Sequence, residues 1–371
     1  MIYLDYQATT PVAPEVADAM RPWIEEKFAN PHSPSRWGRE AAAAIEMARK
    51  EVSEAIGLTG GRLAFTGSAT EALNWALKGT LEKTKGRNRI VTVATEHAAV
   101  LDTCEWLEGR GFDLTRLPVG ADGLLNLENV KAELDDRVAI VAVMLVNNEI
   151  GVIQPIAEIA ELAHKVGALM LCDAVQGLGR VEIPEGPDLA AVSAHKIHGP
   201  KGIGALWMRD GVEPAPLIHG GGQEMGLRSG TLSPALCVGF GVAAKLATER
   251  RQSDHEHVEE LWIAAGSSLM TDWIINGSMT QRYHGNLNIC WPGVDAARII
   301  AELRDVAFSL GSACASGSGR PSHVLRAIGL SDRDARSSIR LGFGRYTSKE
   351  EVIDAVNRID AAARTQRGLA A

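Results

Sequence analysis

Short apolar runs alternate with amphipathic segments along the first two thirds of the chain. The predicted strands are residues 62–66, 90–94, 138–146, 170–172, 189–192 and 203–208, and the predicted helices are residues 69–81, 100–107 and 156–166. Continuous apolar strands with helices between them are typical of a mostly parallel sheet that helices cover. The pattern therefore predicts an α/β fold.

The last third of the chain has a different pattern. A predicted helix over residues 233–250 runs into a charged stretch, residues 249–260, which we interpret as a domain boundary. Beyond it, residues 284–308 predict strands around a helix over residues 295–302, and residues 349–365 predict a C-terminal helix. Because a chain of 371 residues is longer than one hydrophobic core usually supports, we expect two domains.

Several polar residues follow closely after predicted strands of the first pattern. They are Thr70, His97, Asn148, Asp173 and Lys196. In open α/β sheets, binding sites lie at the carboxyl ends of the strands. We therefore expect these side chains to line one site.

Two of these residues are costly to bury. Lys196 follows the apolar run 189–192, and Asp173 ends the apolar run 169–172. A desolvated lysine loses its proton more easily and can form a Schiff base, while a neighbouring carboxylate can pair with the ring nitrogen of pyridoxal phosphate (PLP). A purely structural Lys–Asp ion pair is the alternative interpretation.

Cys314 lies among small residues in the segment 309–319, SLGSACASGSG. Such a segment has little side chain to bury, so it predicts a mobile, exposed loop. Taken alone, a cysteine in such a loop is more often incidental than catalytic. Together with a Lys–Asp pair of the PLP type, it indicates chemistry on sulfur.

Composition excludes several functional classes. The net charge of −8 disfavours nucleic-acid binding by a basic surface, and no apolar run approaches the roughly 20 residues of a membrane span. A predicted strand at residues 2–4 leaves no room for a signal peptide. The five cysteines show no CxxC pairing, and Cys172, Cys237 and Cys290 lie in apolar runs typical of core residues. We therefore expect a reduced, cytoplasmic protein with no direct contact to membranes or nucleic acid.

A series of short motifs extends nearly from end to end of the chain. In order they are YLDYQATTP (3–11), FTGSATE (65–71), TEH (95–97), VNNEIG (146–151), DAVQ (173–176), SAHKIHGP (193–200), GGGQE (220–224), RSGT (228–231), the Cys314 segment, PSHVLRA (321–327) and SSIR (337–340). Each motif is modest alone, but this order of motifs is specific. The chain resembles the PLP-dependent cysteine desulfurases of the NifS/IscS family, in the group with a long cysteine loop.

The resemblance implies a fold-type I PLP-dependent transferase, similar to aspartate aminotransferase. Residues 15–248 would form the large PLP-binding domain, with a mostly parallel central sheet. Residues 1–14 and 249–371 would form a smaller α+β domain that carries the Cys314 loop. Thr231 and the Gly-rich segment before it resemble a phosphate contact that is donated across a two-fold interface, so we expect a homodimer.

The implied reaction converts L-cysteine to L-alanine and leaves a persulfide on Cys314. The persulfide would pass to a sulfur-acceptor protein, such as an iron–sulfur scaffold or a SufE-like activator, for iron–sulfur cluster assembly or tRNA thiolation. A selenocysteine lyase or another fold-type I enzyme, such as an aminotransferase, is the alternative, and a catalytically silent sulfur-scaffold subunit is a further one. The sequence leaves open the acceptor, the turnover and the preference for cysteine over selenocysteine.

The resemblance also implies roles for individual residues. The expected catalytic residues are Lys196, Cys314 and His97, and the expected substrate contacts are Asn148 and Arg340. The expected cofactor contacts are Ala69, Thr70, His97, Asn148, Asp173, Gln176, Ser193, His195, Lys196 and Thr231, the last reaching the phosphate from the partner subunit. No metal site is expected, although Cys314 could ligate an iron–sulfur cluster in transfer.

The chain departs from the family pattern at three places. Gly67-Ser68 stands where the family usually has Ser-Gly, which leaves the detail of the phosphate loop open. Ser35-Arg36 stands where a histidine is common, and Gly319-Arg320 where Leu-Glu is frequent. The last departure changes the charge where a sulfur acceptor would dock.

Overall fold

The computed structural model describes residues 1–84, 86–269, 272–311 and 321–368, so Cys314 and its loop lie outside the described residues. In the described residues the strands are β1 (Ile2–Tyr3), β2 (Arg62–Thr66), β3 (Arg89–Val93), β4 (Asp113–Leu117), β5 (Val138–Met144), β6 (Leu169–Asp173), β7 (Leu189–Ser193), β8 (Gly204–Met208), β9 (Ile274–Ile275), β10 (Asn286–Cys290), β11 (Val306–Ala307), β12 (Ser309–Leu310) and β13 (Ser338–Gly342).

The helices of the same described residues include those that the sequence predicted, together with others, among them residues 14–25, 36–56 and 127–132, that it did not predict. They are α1 (Pro14–Glu25), α2 (Arg36–Ile56), α3 (Ala69–Lys83), α4 (Ala98–Glu108), α5 (Leu127–Ala132), α6 (Ile156–Lys165), α7 (Pro234–Glu249), α8 (Arg251–Ser268), α9 (Ala296–Glu302), α10 (His323–Ala327), α11 (Asp332–Arg336) and α12 (Lys349–Gln366). None of these helices is both long enough and apolar enough to cross a membrane.

The central sheet contains seven of the described strands, in the order β2-β8-β7-β6-β5-β3-β4. Neighbours from β7 to β4 pair in parallel, whereas β8 pairs antiparallel with both β7 and β2. The carboxyl ends of β5, β6 and β7 therefore meet at one edge of the sheet. This sheet is mostly parallel, as the apolar runs predicted.

Strand β5 shows why both faces of this sheet are covered. All of its side chains are buried, and several are β-branched, which suits a pleated strand. Val141 and Val143 pack in one cluster with apolar side chains of α2, α6 and α7, whereas Ile140 and Ala142 pack in another with α3 and α4. A continuous apolar strand thus places alternate side chains into two cores.

A second core lies in the last third of the chain. Strands β12, β13, β10 and β9 form an antiparallel sheet in that order, and α8, α9 and α12 pack against it. The first residues of the chain join this region, because β1 pairs in parallel with β11 and Leu4 is buried in the same cluster. The predicted strands around a helix at residues 284–308 are confirmed.

The charged stretch that we interpreted as a boundary is helical rather than a linker. Helix α7 ends at Glu249 and α8 begins at Arg251, with one residue between them. Val258 and Leu261 are buried on one side of α8, so a stretch that is polar on its other sides still packs as a helix.

The cysteines of the described residues are buried thiols that form no disulfide. Cys172, Cys237 and Cys290 are therefore core residues, as predicted, and Cys104 is a further one. Burial raises the pKa of the Cys104 and Cys237 thiols to about 12, which keeps both protonated and unreactive near neutral pH.

Candidate active site

A cavity of about 300 Å³ opens where β6 and β7 end and α3 begins. The predicted site residues that line it are Ala69, Thr70, His97, Asn148, Asp173, Gln176, Ser193, His195, Lys196 and Arg340. Since these residues come from separate strands and from both sheets, the fold itself brings them together. Thr231 is exposed and is not part of this lining, and Cys314 lies outside the described residues.

Lys196 enters the cavity from a short 3₁₀ turn, Ala194–Lys196, that follows β7. Its Nζ donates hydrogen bonds to the main-chain oxygens of Gln7 and Ala8, at 2.6 and 2.8 Å. The first residues of the chain thus form one wall of the site. Two carbonyl acceptors stabilise the charged form of an amine, so this position suits the ammonium of Lys196.

Asp173 is the last residue of β6 and is buried. Its Oδ1 accepts a hydrogen bond from the Val175 N–H at 3.0 Å. Burial raises the pKa of this carboxyl, while the nearby His97 and Lys196 act in the opposite direction. A buried carboxyl with little hydrogen bonding is stabilised as an anion by a cationic partner, and the protonated ring nitrogen of PLP is such a partner.

The start of α3 forms an anion-binding corner of the cavity. Ser68 caps the helix, and Ala69 and Thr70 are its first residues, whose N–H groups have no partner within the helix. A Cβ on Gly204 of β8 would lie 2.6 Å from the Ala69 nitrogen, so glycine is needed for the helix start to approach the sheet. This corner fits the phosphate of PLP.

Two residues around β7 line the same cavity. Ser193 ends the strand, and the Nδ1 of His195 lies 3.1 Å from the hydroxyl oxygen of Thr9. Burial, together with the charges of Lys196 and Lys201, lowers the pKa of His195 to about 4. His195 is therefore neutral near pH 7 and can offer a hydrogen bond without competing with Lys196 for a proton.

His97, which also lines the cavity, caps the helix α4. Its Nδ1 accepts a hydrogen bond from the Ala99 N–H at 3.0 Å, so a neutral His97 carries its proton on Nε2. A histidine oriented in this way can stack on a ring or move a proton.

The side chain of Gln176 is held by two partners. Its Nε2 donates to the main-chain oxygen of Gln7 at 3.0 Å, and the Arg180 guanidinium donates to its Oε1. Arg180 also donates to the main-chain oxygen of Lys196 at 3.0 Å. Arg180 therefore connects two of the predicted cofactor contacts, a role that sequence reasoning missed.

Arg340 reaches the cavity from β13, in the second sheet, and is 1% exposed. Its Nη2 donates to Asp5 Oδ1 at 2.7 Å, and its Nη1 donates to the main-chain oxygen of Asn148 at 3.1 Å. Its Nε has no hydrogen-bond partner among the described residues. A buried guanidinium with an unsatisfied donor is suited to bind a carboxylate from a ligand.

Glu149, next to Asn148, is a buried carboxyl that sequence reasoning missed. It accepts a hydrogen bond from the Ser322 hydroxyl, which also caps α10. Burial raises the pKa of Glu149 to about 7, although Ser322, Arg340 and His97 act in the opposite direction. An acidic residue between the apolar residues Val146 and Ile150 was the available sequence signal.

The comparisons with known proteins agree over the whole chain. A family model described as aminotransferase class-V matches residues 2–355. A protein named cysteine desulfurase IscS from Rickettsia bellii (strain OSU 85-389) is 46% identical over 369 residues, which cover 96% of this chain and 90% of that protein. A protein of the same name from Rickettsia rickettsii (strain Iowa) is 45% identical over 368 residues, with the same coverage.

Solved structures show the same architecture. One described as a NifS-like protein matches with a TM-score of 0.90 at 34% identity, covering 97% of this chain and 98% of that chain. Another, described as SspA in complex with cysteine, matches with a TM-score of 0.83 at 34% identity, covering 94% and 100%. The fold class expected from the sequence is thereby confirmed.

Proposed function

The chain belongs to the aminotransferase class-V family, and we propose that it is a PLP-dependent cysteine desulfurase. The observation that carries this proposal is the cavity that combines Lys196, Asp173, the α3 helix start and Arg340. The relatives named cysteine desulfurase, which match 96% of the chain, support the same activity. The resemblance first found in the motifs is thus confirmed at the level of the family.

The proposed cofactor contacts follow from this geometry. Bound PLP supplies an electron-accepting ring. Asp173 would pair with the ring nitrogen, Lys196 would hold the aldehyde, and His97 would stack on the ring. The proposed phosphate contacts are Ala69, Thr70, Ser193 and His195, together with Thr231 of a second copy, and the proposed polar ring contacts are Asn148 and Gln176.

The substrate would bind through its carboxylate. Arg340, held by Asp5 and by the main chain of Asn148, presents a buried guanidinium whose Nε has no hydrogen-bond partner in the part of the chain that the structure describes. Either Lys196 or His97 would move the proton from the substrate Cα. The Lys196 amine donates hydrogen bonds to two main-chain carbonyl oxygens. These residues would bind and orient an amino acid in the same way whichever group is removed from its Cβ.

The sulfur atom is proposed to move to Cys314. Its thiolate would form the S–S bond while the substrate Cβ–S bond breaks, and the electron pair of the broken bond stays on carbon, which takes up a proton. L-Cysteine and a thiol thereby become L-alanine and a persulfide, without an external oxidant or reductant. A sulfur-acceptor protein, such as an iron–sulfur scaffold or a SufE-like activator, would then take the sulfur.

We further propose that the enzyme is a homodimer. Thr231 is exposed and does not line the cavity of its own chain, so its proposed phosphate contact requires a second copy. A two-fold arrangement would complete both sites at once. Light scattering should show a dimer, and a monomer that holds PLP tightly would contradict the proposal.

The two-domain division also stays a proposal. Residues 15–248 contain the central sheet and its two cores, whereas residues 1–14 and 249–371 contain the second sheet and its core. The buried, unpaired thiols are in keeping with the predicted reduced, cytoplasmic setting.

The deciding experiment replaces the proposed sulfur acceptor. Cys314→Ser should still bind PLP and L-cysteine, because the proposed contacts of both lie elsewhere, yet it should form almost no persulfide and little alanine. Cys104→Ala, which removes a buried thiol, is the matched control and should keep persulfide formation. If Cys314→Ser releases alanine at the wild-type rate, the loop cysteine is dispensable and a lyase mechanism replaces this one.

A further inference from the structure

The first turn of α3 carries a carboxylate beside the corner that fits the phosphate. Glu71 occupies the position where a capping box would return to the N-cap residue. Its own N–H donates to the Ser68 hydroxyl at 3.2 Å, but its Oε2 accepts from the Gly67 N–H at 2.7 Å, one residue further back. The capping box is thus shifted by one residue, so the Glu71 carboxylate does not take up the Ser68 N–H.

Gly67 makes this shifted contact possible. A Cβ built on Gly67 would lie 2.9 Å from Glu71 Oε2, closer than a Cβ approaches a non-bonded atom, so the Glu71 carboxylate would have to move. The Gly67-Ser68 order, which differs from the usual family order, therefore has a local consequence. It places serine at the N-cap and lets Glu71 bind the main chain just before it.

A carboxylate at this position has one disadvantage. Its negative charge repels an anion bound at the same helix start, and like charges close together disfavour each other. The repulsion is only partly screened, because the Glu71 side chain is 19% exposed.

The guanidinium of Arg228 forms an ion pair with the Glu71 carboxylate. Its Nε lies 2.7 Å from Glu71 Oε1 and its Nη2 lies 3.1 Å from Oε2, which is the two-pronged geometry that arginine forms with carboxylates. The hydrogen bond to Glu71 is the main influence that raises the pKa of Arg228. Arg228 also lies three residues before Thr231, so it ties the segment proposed to reach the partner subunit to this chain's own phosphate corner.

We propose that Glu71 and Arg228 are positioning residues for the cofactor phosphate. Glu71 holds the Gly67 N–H and so sets the turn before α3, and Arg228 cancels the charge that Glu71 brings. Neither residue touches the phosphate. The inference rests on the proposed PLP-dependent function, because it concerns the affinity for that cofactor.

A double-mutant cycle on cofactor affinity tests the proposal. The apoprotein is titrated with PLP, and the dissociation constant is read from the absorbance of the bound cofactor. Arg228→Gln should raise this constant about tenfold, because an uncompensated Glu71 then faces the phosphate. Glu71→Gln alone, and the double variant Glu71→Gln/Arg228→Gln, should both stay within about threefold of wild type, since neither leaves an uncompensated negative charge beside the phosphate.

Pyridoxal, which lacks the phosphate, separates this role from a merely structural one. Arg228→Gln should change the pyridoxal dissociation constant by less than about threefold. Arg298→Gln, which removes an exposed ion pair with Glu302 far from the cavity, is the matched control and should leave both constants unchanged. Arg228→Lys keeps the charge and should stay near wild type, which provides a second comparison if Arg228→Gln folds poorly.

Three outcomes would overturn the inference. The first is an unchanged PLP affinity in Arg228→Gln, and the second is an equal loss of PLP and pyridoxal affinity in that variant. The third is a double variant that binds PLP as weakly as Arg228→Gln. In Arg228→Lys, a tenfold loss for PLP that spares pyridoxal would likewise refute the charge argument. A wild-type protein that binds neither ligand would instead contradict the proposed function itself.

Discussion

The two halves of the cavity are built in different ways. The cofactor half, formed by Ala69, Thr70, Asp173, Ser193 and Lys196, consists of strand ends and one helix start within the central sheet region. The substrate half, lined by Asn148 and Arg340 with the buried Glu149 next in the chain, is held together by contacts between distant parts of the chain.

The contacts of the substrate half show this difference. Arg340 Nη2 donates to Asp5 across 335 positions, and Ser322 donates to Glu149 across 173. The strand ends and the helix start of the cofactor half therefore follow from the architecture of one sheet, although Lys196 also donates to the main chain of Gln7 and Ala8. The substrate half, in contrast, exists only when the first residues and the second sheet pack together. Variants in the cofactor half should change cofactor chemistry, and variants in the substrate half should change substrate affinity and stability.

The largest effect is expected at Lys196. Lys196→Ala should lower alanine formation about a thousandfold or more, because the amine that holds the cofactor and moves a proton is gone. Borohydride treatment followed by peptide mapping should place the cofactor on Lys196 in the wild type and on no residue in the variant. Lys201→Ala, an exposed neighbour, is the control, and a label on any lysine other than Lys196 would refute the assignment.

Glu149 should make the stability of the substrate half depend on pH. Its pKa rises from 4.5 to about 7 on burial, so the folded protein keeps a proton that the unfolded chain loses. The stabilising contribution is complete below pH 4.5 and is lost as the pH rises through 7. Glu149→Gln is neutral at every pH and can still accept the Ser322 hydrogen bond.

The free energy of unfolding measures this effect. Relative to wild type, the Glu149→Gln apoprotein should gain about 2.5 kcal/mol between pH 5 and pH 8, at about 1.36 kcal/mol per unit of pKa shift. Urea unfolding at four pH values gives the two curves, with Glu260→Gln, an exposed carboxyl on α8, as the control. Parallel curves for Glu149→Gln and wild type would show that Glu149 is not the titrating group.

Replacing Arg340 should change the kinetics of substrate binding without changing cofactor binding. Arg340→Lys keeps a positive charge but loses the fork of donors, so the KM for L-cysteine should rise about tenfold to a hundredfold. The kcat and the PLP affinity should change much less. Arg345→Lys alters another buried arginine, which is paired with Asp254 outside the cavity, and serves as the control. A fall in kcat at constant KM would contradict the proposed carboxylate contact.

The smallest effect is expected at the cap of α3. Ser68→Ala removes the hydroxyl that accepts the Glu71 N–H and should cost about 1 kcal/mol of stability. It should also weaken PLP binding slightly, because the helix start is the phosphate corner. Ser348→Ala removes the corresponding cap of α12 at a similar cost in stability and should leave PLP binding unchanged. If Ser68→Ala and Ser348→Ala change the PLP affinity equally, the cap of α3 has no specific part in binding the phosphate.

Much of the cofactor half could be predicted from the sequence. Lys196 and Asp173 stand out because a charged residue that ends a continuous apolar run is energetically conspicuous without any tertiary information. The alternation of apolar and amphipathic segments also predicted the strands β5, β6 and β7, whose ends carry the site.

The substrate half was only partly predictable. Arg340 was expected from its motif, but its partner Asp5 was not, because nothing local relates residues so far apart. Glu149 was missed although an acidic residue among apolar ones was a local signal.

In the cofactor half, Gln7 was missed because the residues that it holds, Lys196 and Gln176, are distant in sequence. Arg180 was missed because its contact with the main chain of Lys196 forms only in the folded protein.

The sequence by itself determined the periodicity of each element, the two faces of the central sheet and the residues able to carry the chemistry. These are local properties, since the side-chain period and the cost of burying a charge depend on neighbouring residues. Only the tertiary structure decided which carboxyls are buried and what each arginine binds. Burial and pairing depend on contacts across hundreds of positions, and these contacts shift the pKa of Glu149 and aim Arg340 into the cavity.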